Sequence, residues 1–186
     1  MRFPPGTHFA YDSVSVNILS VVLAKSVRQD SATFARRSLF DPLRINGVAW
    51  PSDAEGHLLG GSSLRRSARE MAKIGLLYLQ GGKWNGRQVV SEDYVRDSTT
   101  KHNGGGPPVD APYGYLWWIG PTNNARPSFF AAGQGGQLVL VDPDLDLVIA
   151  ISAEGLPGGS RLFVDGTLLP LVASTPSPGA CATRLQ

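Results

Sequence analysis

A tyrosine and a serine two positions apart stand near the start of this chain, in a setting that suits chemistry. Tyr11 and Ser13 follow a Pro-Gly turn and a short extended stretch, and they precede a run, Val14 to Val27, in which apolar residues recur at helical spacing. Ser13 or the aspartate before it is of a type that caps a helix, so the helix fixes where both side chains lie. A phenol and a hydroxyl anchored in this way can act on one substrate.

Both residues also have an ordinary structural interpretation. Tyr11 can be a half-buried aromatic residue ahead of a helix, with Ser13 as the cap, because short motifs often match by chance. A tyrosine has an ordinary pKa of about 10, so it acts as a base at neutral pH only where a nearby ammonium stabilises the phenolate. The pair alone leaves the catalytic and the structural role open.

The rest of the sequence predicts an α+β fold in which helices pack on an antiparallel sheet. The clearest helix starts at Ser67, where Glu70 completes a capping box. A short hairpin is predicted around Asn85-Gly86, and a brief helix follows from Ser91. Further helices are expected over 31–39 and 161–169, an irregular Gly- and Pro-rich segment over 101–112, and strands over 113–119, 129–133, 137–141 and 145–152.

Composition and charge narrow the function classes. The chain has 186 residues, of which 42% are hydrophobic and 17% charged, as in an ordinary globular domain. Its formal charge of +2 is spread without a basic block, which argues against a nucleic-acid partner. No apolar run has the length of a signal peptide core or a membrane span, so we expect a soluble chain without membrane insertion. A single cysteine, Cys181, excludes an internal disulfide, and the three histidines lack ligand spacing, so we expect no metal and no cofactor.

The tyrosine motif is the first of an ordered series. Pro-Gly-Thr-x-Phe-x-Tyr-x-Ser at 5–13 is followed by Phe-Asp-Pro-Leu at 40–43 and Gly-Gly-Ser-Ser-Leu at 60–64. Tyr-Gly-Tyr-Leu-Trp-Trp at 113–118 and Ala-Gly-Gln-Gly-Gly-Gln at 132–137 come next. The series resembles the serine β-lactamase, penicillin-binding-protein and esterase superfamily over residues 4 to 155, and the Tyr-x-Ser form is nearest the esterase and 6-aminohexanoate-dimer hydrolase branch.

The resemblance implies the C-terminal portion of a β-lactamase-like (DD-peptidase-like) fold and a serine hydrolase that cleaves an ester or amide through an acyl-enzyme. It implies that Tyr11 takes part in proton transfer, that Ser13 bonds a lysine or the substrate, and that the Gln134 N–H is an oxyanion donor. Ala131 stands where many relatives carry a lysine or histidine, which counts against a carboxylated substrate such as a penicillin.

A second group of residues is assigned to substrate binding on the same resemblance. The glycines after the strand let a substrate approach the backbone, although a β-bulge or strand kink explains them equally well. One of the paired tryptophans is expected in the core and the other in the wall of an acyl pocket, and a histidine ahead of residue 60 is a candidate for the cleft or an ordinary loop residue. The resulting substrate-binding set is Gly133, Gly135, Gly136, Trp117 and His57.

The nucleophile motif of this superfamily, Ser-x-x-Lys, has one match in the sequence, at Ser98 and Lys101. The match follows the Tyr11 motif, against the order of the superfamily, and it runs into a Gly-rich segment in a solvent setting, so we interpret it as coincidence. We therefore predict a partial hydrolase domain over 1–173 that lacks the N-terminal nucleophile segment, followed by a disordered tail over 174–186.

Two functions follow from this organisation. The first is a hydrolase of a small-molecule ester or amide, active when the domain is complete. The second is a non-catalytic, truncated relative that binds a ligand or a partner through the residual cleft. In either case loss of the N-terminal part would expose apolar surface on the helix over 14–27, which predicts self-association of the chain as given.

Overall fold

The computed structural model describes residues 3–4, 6–120 and 127–155. The helices are α1 (Ser13–Val27), α2 (Ser31–Ala35), α3 (Ala68–Leu79) and α4 (Glu92–Ser98), and a π-helical turn, Arg36–Phe40, follows α2. The strands are β1 (Lys83–Trp84), β2 (Arg87–Gln88), β3 (Asn103–Gly106), β4 (Ala111–Tyr113), β5 (Trp118–Ile119), β6 (Phe129–Gly133), β7 (Gln137–Asp142) and β8 (Leu147–Ile151). Helices on an antiparallel sheet confirm the predicted α+β class.

Among the described residues, six strands form one antiparallel sheet in chain order, from β3 to β8. The pairings of β6 with β7 and of β7 with β8 each join five residue pairs. The pairing of β5 with β6 stops where Trp118 lies opposite Phe130. The last residues of β6 therefore extend past β5, and they border a cavity there.

The sheet separates two apolar layers. Helix α3 packs on one face, where Met71 and Tyr78 contact a buried cluster made of Trp117, Ile119, Phe129, Val139 and Val141. The opposite face carries a second buried cluster, and Phe9 from the N-terminal segment packs against it; its members are Trp118, Phe130, Leu138 and Leu140. Because neighbouring strand residues point to opposite faces, the two adjacent tryptophans lie in different layers.

A third apolar cluster joins α3 to the segment after α2. Phe40, Leu43 and Ile45 pack with Leu77 of α3, and all four side chains are buried. The Lys73 ammonium adds polar bonds to the same segment, because it donates to the carbonyl oxygens of Leu43 and Arg44 at 3.0 and 2.9 Å. Helix α3 is thus held on two sides, which fixes the loop that precedes it.

Two expectations about strands were wrong. The segment over 101–112 is not irregular but contains β3 and β4, and Gly105 allows the two strands to meet, since its φ is +67° and a Cβ there would overlap the Ala111 carbonyl oxygen. The strand expected over 113–119 is interrupted by a turn, in which Leu116 has a φ of +63° and the Gly114 N–H donates to the Trp117 carbonyl oxygen at 2.8 Å.

The expected helix over 161–169 and the expected tail over 174–186, with Cys181, lie outside the described residues. Among the helices that the structure does describe, none has both the length and the apolar character needed to cross a bilayer.

Candidate active site

Tyr11 lies between the start of α1 and the sheet. Its ring stacks on Trp118, with centroids 5.6 Å apart and planes at 20°, and meets Tyr113 edge-on at 6.2 Å. The Tyr11 side chain is still 47% exposed. Burial, and to a lesser extent the proximity of Tyr11, raises the pKa of Tyr113 to about 12, so Tyr113 stays protonated at neutral pH. The aromatic wall holds Tyr11 on one side and leaves the rest of the residue open to solvent.

Helix α1 begins immediately after Tyr11, and Asp12 caps it. The Asp12 carboxylate accepts from the N–H groups of Val14 and Ser15 at 3.0 and 3.2 Å and from the Ser15 hydroxyl at 2.6 Å. The hydroxyl bond, followed by the Val14 bond, lowers the pKa of Asp12, so the cap is anionic at neutral pH. Asp12 therefore does the capping, and Ser13 is the first residue of the helix.

The first turns of α1 rest on a pair of glycines that precede α3. The Gly61 N–H donates to the Asn17 side-chain oxygen at 2.9 Å. A Cβ at Gly61 would lie 2.7 Å from the Ser13 carbonyl oxygen, and one at Gly60 would lie 3.1 Å from that of Val16. This close approach fixes Ser13 relative to the loop that carries the two glycines.

The other side of the site is the turn between β6 and β7. Gly135 and Gly136 have φ of +81° and +99°, so the turn itself requires glycine at both positions. Its backbone bonds run from the Gly136 N–H to the Gly133 carbonyl oxygen and from the Gly155 N–H to the Gly135 carbonyl oxygen, and neither involves the Gln134 N–H. Gly133 has no such backbone requirement, and it borders a cavity.

That cavity brings the two sides together. Tyr11, Ser13, Gly133 and Gln134 all line one open hollow of about 1240 Å³. A smaller pocket of about 160 Å³ also has Tyr11 and Ser13 in its wall, together with Tyr113, Trp118 and other residues. Residues from the start of α1 and from the end of β6, far apart in sequence, thus share one cavity.

Of the five predicted substrate-binding residues, only Gly133 lines this cavity. Gly135 and Gly136 belong to the turn beyond it, and the placements of Trp117 and His57 need correction. Trp117 is 7% exposed and packs in the layer under α3, because strand alternation turns Trp118 toward Tyr11 instead. The His57 imidazole lies 3.5 Å from Asp53 and 3.6 Å from Glu55 in its own loop, outside the lining of the hollow. The aromatic wall beside Tyr11 is therefore Trp118.

The Ser-x-x-Lys match also lies away from the cavity. Ser98 is fully buried at the end of α4, and its hydroxyl donates to the Val95 carbonyl oxygen at 3.1 Å. The expected solvent setting was thus wrong for Ser98 and right for Lys101, which is exposed. Neither residue lines the hollow or the smaller pocket. A buried hydroxyl bonded within its own helix has a structural role.

The comparison with protein families shows to which family the chain belongs. The family described as Beta-lactamase matches residues 1–174. The chain belongs to the beta-lactamase family. Membership confirms the resemblance to the serine β-lactamase and penicillin-binding-protein superfamily that was inferred from the ordered motifs.

Several solved structures share the fold of this chain. A protein from Bacillus anthracis assigned as a 6-aminohexanoate-dimer hydrolase has a TM-score of 0.76 at 23% identity, and the match covers 92% of this chain and 45% of that one. A β-lactamase from Mycobacterium bovis has a TM-score of 0.70 at 18% identity, with 90% and 66% covered. An octameric penicillin-binding protein homologue from Pyrococcus abyssi has a TM-score of 0.70 at 18% identity, with 92% and 44% covered. The chain thus spans between 44% and 66% of these three proteins.

The sequence patterns did not identify the charged residues that line this cavity. Arg65 and Arg66 line the hollow, on the loop between the two glycines and α3. The available signal was their position directly after the Gly-Gly-Ser-Ser-Leu motif. Over residues 3–4, 6–120 and 127–155, no three histidine, cysteine, aspartate or glutamate side chains form a group that could hold a metal ion.

Proposed function

We propose that this chain forms one side of the active site of a serine hydrolase, an esterase or amidase, which cleaves a small-molecule substrate through an acyl-enzyme when the domain is complete. One observation carries the proposal: Tyr11, Ser13 and Gln134, which the superfamily resemblance assigns to catalysis, line a single hollow. Membership of the beta-lactamase family supports the same reaction class.

The proposed chemistry assigns a separate task to each group. A serine hydroxyl attacks the substrate carbonyl, and its proton passes by way of Tyr11 to the departing alcohol or amine as the ester or amide bond breaks. The Gln134 N–H donates to the oxygen that becomes negatively charged during the attack. Ser13 bonds the substrate or a neighbouring lysine. Water then attacks the acyl-enzyme and releases the acid, and the serine regains its proton.

The nucleophile is proposed to come from a Ser-x-x-Lys segment outside the printed sequence. Within that sequence the motif occurs once, and its serine, Ser98, is buried away from the hollow. Tyr11 also needs a nearby cation to act as a base, and the cations that line the hollow among the described residues are two arginines. A lysine that accompanies the nucleophile would supply the ammonium.

The test compares this chain with the longest in-frame product that contains it, using chromogenic short-chain esters and a fluorescent acylating β-lactam. We expect hydrolysis by the longer product, and a loss of about a hundredfold or more in kcat on Tyr11→Phe, because a positioned proton-transfer group contributes about that much. Tyr94→Phe, which alters an exposed tyrosine outside the hollow, is the matched control and should leave the rate unchanged.

Three outcomes would contradict the proposal or a part of it. Hydrolysis that survives Tyr11→Phe would remove the proposed role of Tyr11. Hydrolysis by this chain alone that is lost on Ser98→Ala, with the fold intact by circular dichroism, would identify a different nucleophile. Ligand binding without turnover in the longer product would favour the non-catalytic relative that binds through the cleft.

A further inference from the structure

The charged side chains in the described lining of the hollow are all positive. Its described lining contains two guanidinium groups, those of Arg65 and Arg66, and no carboxylate, lysine or histidine side chain. Strand β6 contributes only Ala132 and Gly133 to this lining, so its positive charge comes from the loop ahead of α3. The chemistry of the hollow therefore favours an anionic group at the arginine wall.

Arg66 is already used by the fold. Its guanidinium donates to the carbonyl oxygens of Asn46 at 3.1 Å and Gly47 at 2.9 Å, and it lies 3.4 Å from the Glu70 carboxylate. The side chain is only 10% exposed. Glu70 balances its charge and the carbonyl groups fix its orientation, so Arg66 anchors the loop and leaves little capacity for a ligand.

The Arg65 guanidinium, in contrast, is available to bind a ligand. The side chain is exposed, and within the described part of the chain it forms no ion pair. Its backbone is nevertheless positioned, because the Arg65 N–H donates to the Ala49 carbonyl oxygen at 3.4 Å in a β-bridge. The neighbouring Trp50 indole donates to the carbonyl oxygens of Leu59 and Ser62 at 2.8 and 3.2 Å, which ties the same loop together.

Two serines line the hollow next to Arg65. Ser62 and Ser63 both line the hollow, and the Ser63 hydroxyl donates to that of Ser62 at 3.3 Å. A guanidinium next to hydroxyl donors suits a carboxylate, which accepts several hydrogen bonds and pairs with arginine through two parallel ones. An ammonium finds no carboxylate partner in the described lining.

We propose that Arg65, with Ser62 and Ser63, forms an anion subsite that binds a carboxylate of the substrate at a distance from the scissile bond. This inference rests on the proposed function and adds to it a substrate class: an ester or amide with a free acid group. It also reverses the expectation drawn from Ala131 that a carboxylated substrate is disfavoured, because the cation is supplied by the loop instead of the strand.

Binding of ligands without a scissile bond tests the subsite, since this measurement needs no nucleophile. A series of straight-chain ω-acetamido carboxylic acids is titrated into the full chain by calorimetry, and each is compared with its neutral primary amide. We expect the best acid to bind about five- to tenfold more tightly than its amide, because an ionised hydrogen-bond partner at a partly exposed site is worth roughly that factor. Added salt should reduce the preference, since screening weakens exposed charge pairs.

The variants separate this subsite from general charge effects. Arg65→Gln keeps the length and polarity of the side chain and should abolish the preference for the acid. Arg69→Gln removes the same charge from an exposed position on α3 outside the hollow and should leave the preference intact. Equal affinity for acid and amide, equal losses in both variants, or no binding of either ligand up to tens of millimolar would overturn the subsite.

The subsite and the proposed hydrolase can fail independently. If the acid preference depends on Arg65 but the longer product shows no acyl transfer, the anion subsite stands and the hydrolase proposal falls. If the longer product hydrolyses neutral esters while acid and amide bind equally to wild type, the hydrolase stands and the subsite is wrong.

Discussion

Individual aromatic residues set the geometry at the polar centre of this site. Trp118 is almost completely buried and offers a flat surface on which the Tyr11 ring stacks. Tyr113 meets both Trp118, at 4.5 Å, and Tyr11 edge-on. A buried tryptophan has few alternative rotamers in a packed layer, so it restricts Tyr11 more than a solvent-exposed partner would. Tyr113 shares this environment, and its titration therefore reports on the site.

The pH dependence of stability provides the residue-scale prediction. An unfolded tyrosine loses its proton near pH 10, whereas burial keeps Tyr113 protonated in the folded chain up to a pKa of about 12. Between these values the folded state binds more protons, so the free energy of unfolding should fall as the pH rises. Urea unfolding of Tyr113→Phe should show a shallower fall over this window. Some slope remains, because burial also raises the pKa of Tyr94.

The control for this titration is Leu145→Ser, which alters an exposed apolar residue outside the hollow and removes no titrating group. It should retain the wild-type slope. A Tyr113→Phe variant whose stability falls with pH as steeply as wild type would show that Tyr113 does not titrate as its burial requires.

At the scale of elements, helix α1 is apolar on more than one side. One side packs on the loop of Gly60 and Gly61, with Ser20 buried against it. The opposite side exposes four large apolar side chains, which are between 52% and 64% accessible: Val14, Ile18, Leu19 and Val22. A helix that is apolar around much of its circumference is typical of one covered on both sides. This face adjoins Tyr11 and Ser13, the first residues of the hollow.

We expect this face of α1 to drive self-association of the chain as given, because an exposed apolar stripe gains free energy when a second copy covers it. Light scattering over a range of concentrations should show species larger than the monomer. The double substitution Ile18→Ser and Val22→Ser should shift the population toward monomer. It should change the free energy of unfolding little, since both positions are exposed.

Leu145→Ser provides the matched comparison for the helix face, because Leu145 is an exposed apolar residue in the turn between β7 and β8. It should leave the association unchanged. A monodisperse wild-type monomer with a sharp thermal transition would show that the face needs no cover.

For the whole molecule, sequence patterns predicted the parts that depend on local signals. The capping box at Ser67 and Glu70 starts α3 where expected, and the paired strands β7 and β8 follow their apolar residues. The pairing of β3 with β4 was not predictable, because glycine gives no strand signal and its tolerance of positive φ becomes visible only when the strands meet.

Sequence patterns located the residues of the candidate site only in part, and the roles of these residues stay a prediction. The ordered motifs indicated Tyr11, Ser13 and Gln134, and the structure brings those three to one cavity. The choice between Trp117 and Trp118 depended on which face of the sheet carries α3, and that is a tertiary fact. Arg65 directly follows the Gly-Gly-Ser-Ser-Leu motif, but only the structure shows that it lines the same hollow as Tyr11 and Ser13.

The packing between α3 and the sheet provides the prediction for the whole molecule. We expect that the free energy of unfolding and the affinity for ligands can be changed separately. A Cβ at Gly75 of α3 would lie 2.6 Å from a Val148 methyl group and 3.0 Å from a Val139 methyl group, and none of these three residues lines the hollow. Gly75→Ala should lower the free energy of unfolding, because overpacking costs about 1–3 kcal/mol and outweighs the helix propensity gain of about 1 kcal/mol. With Val148→Ala in the same chain, the total loss should be smaller than the sum of the single losses by about 1 kcal/mol. Gly104→Ala, where a Cβ meets open space, is the control. Strictly additive losses, or altered affinity of the acetamido acids below the unfolding transition, would show that the two layers do not act as the packing requires.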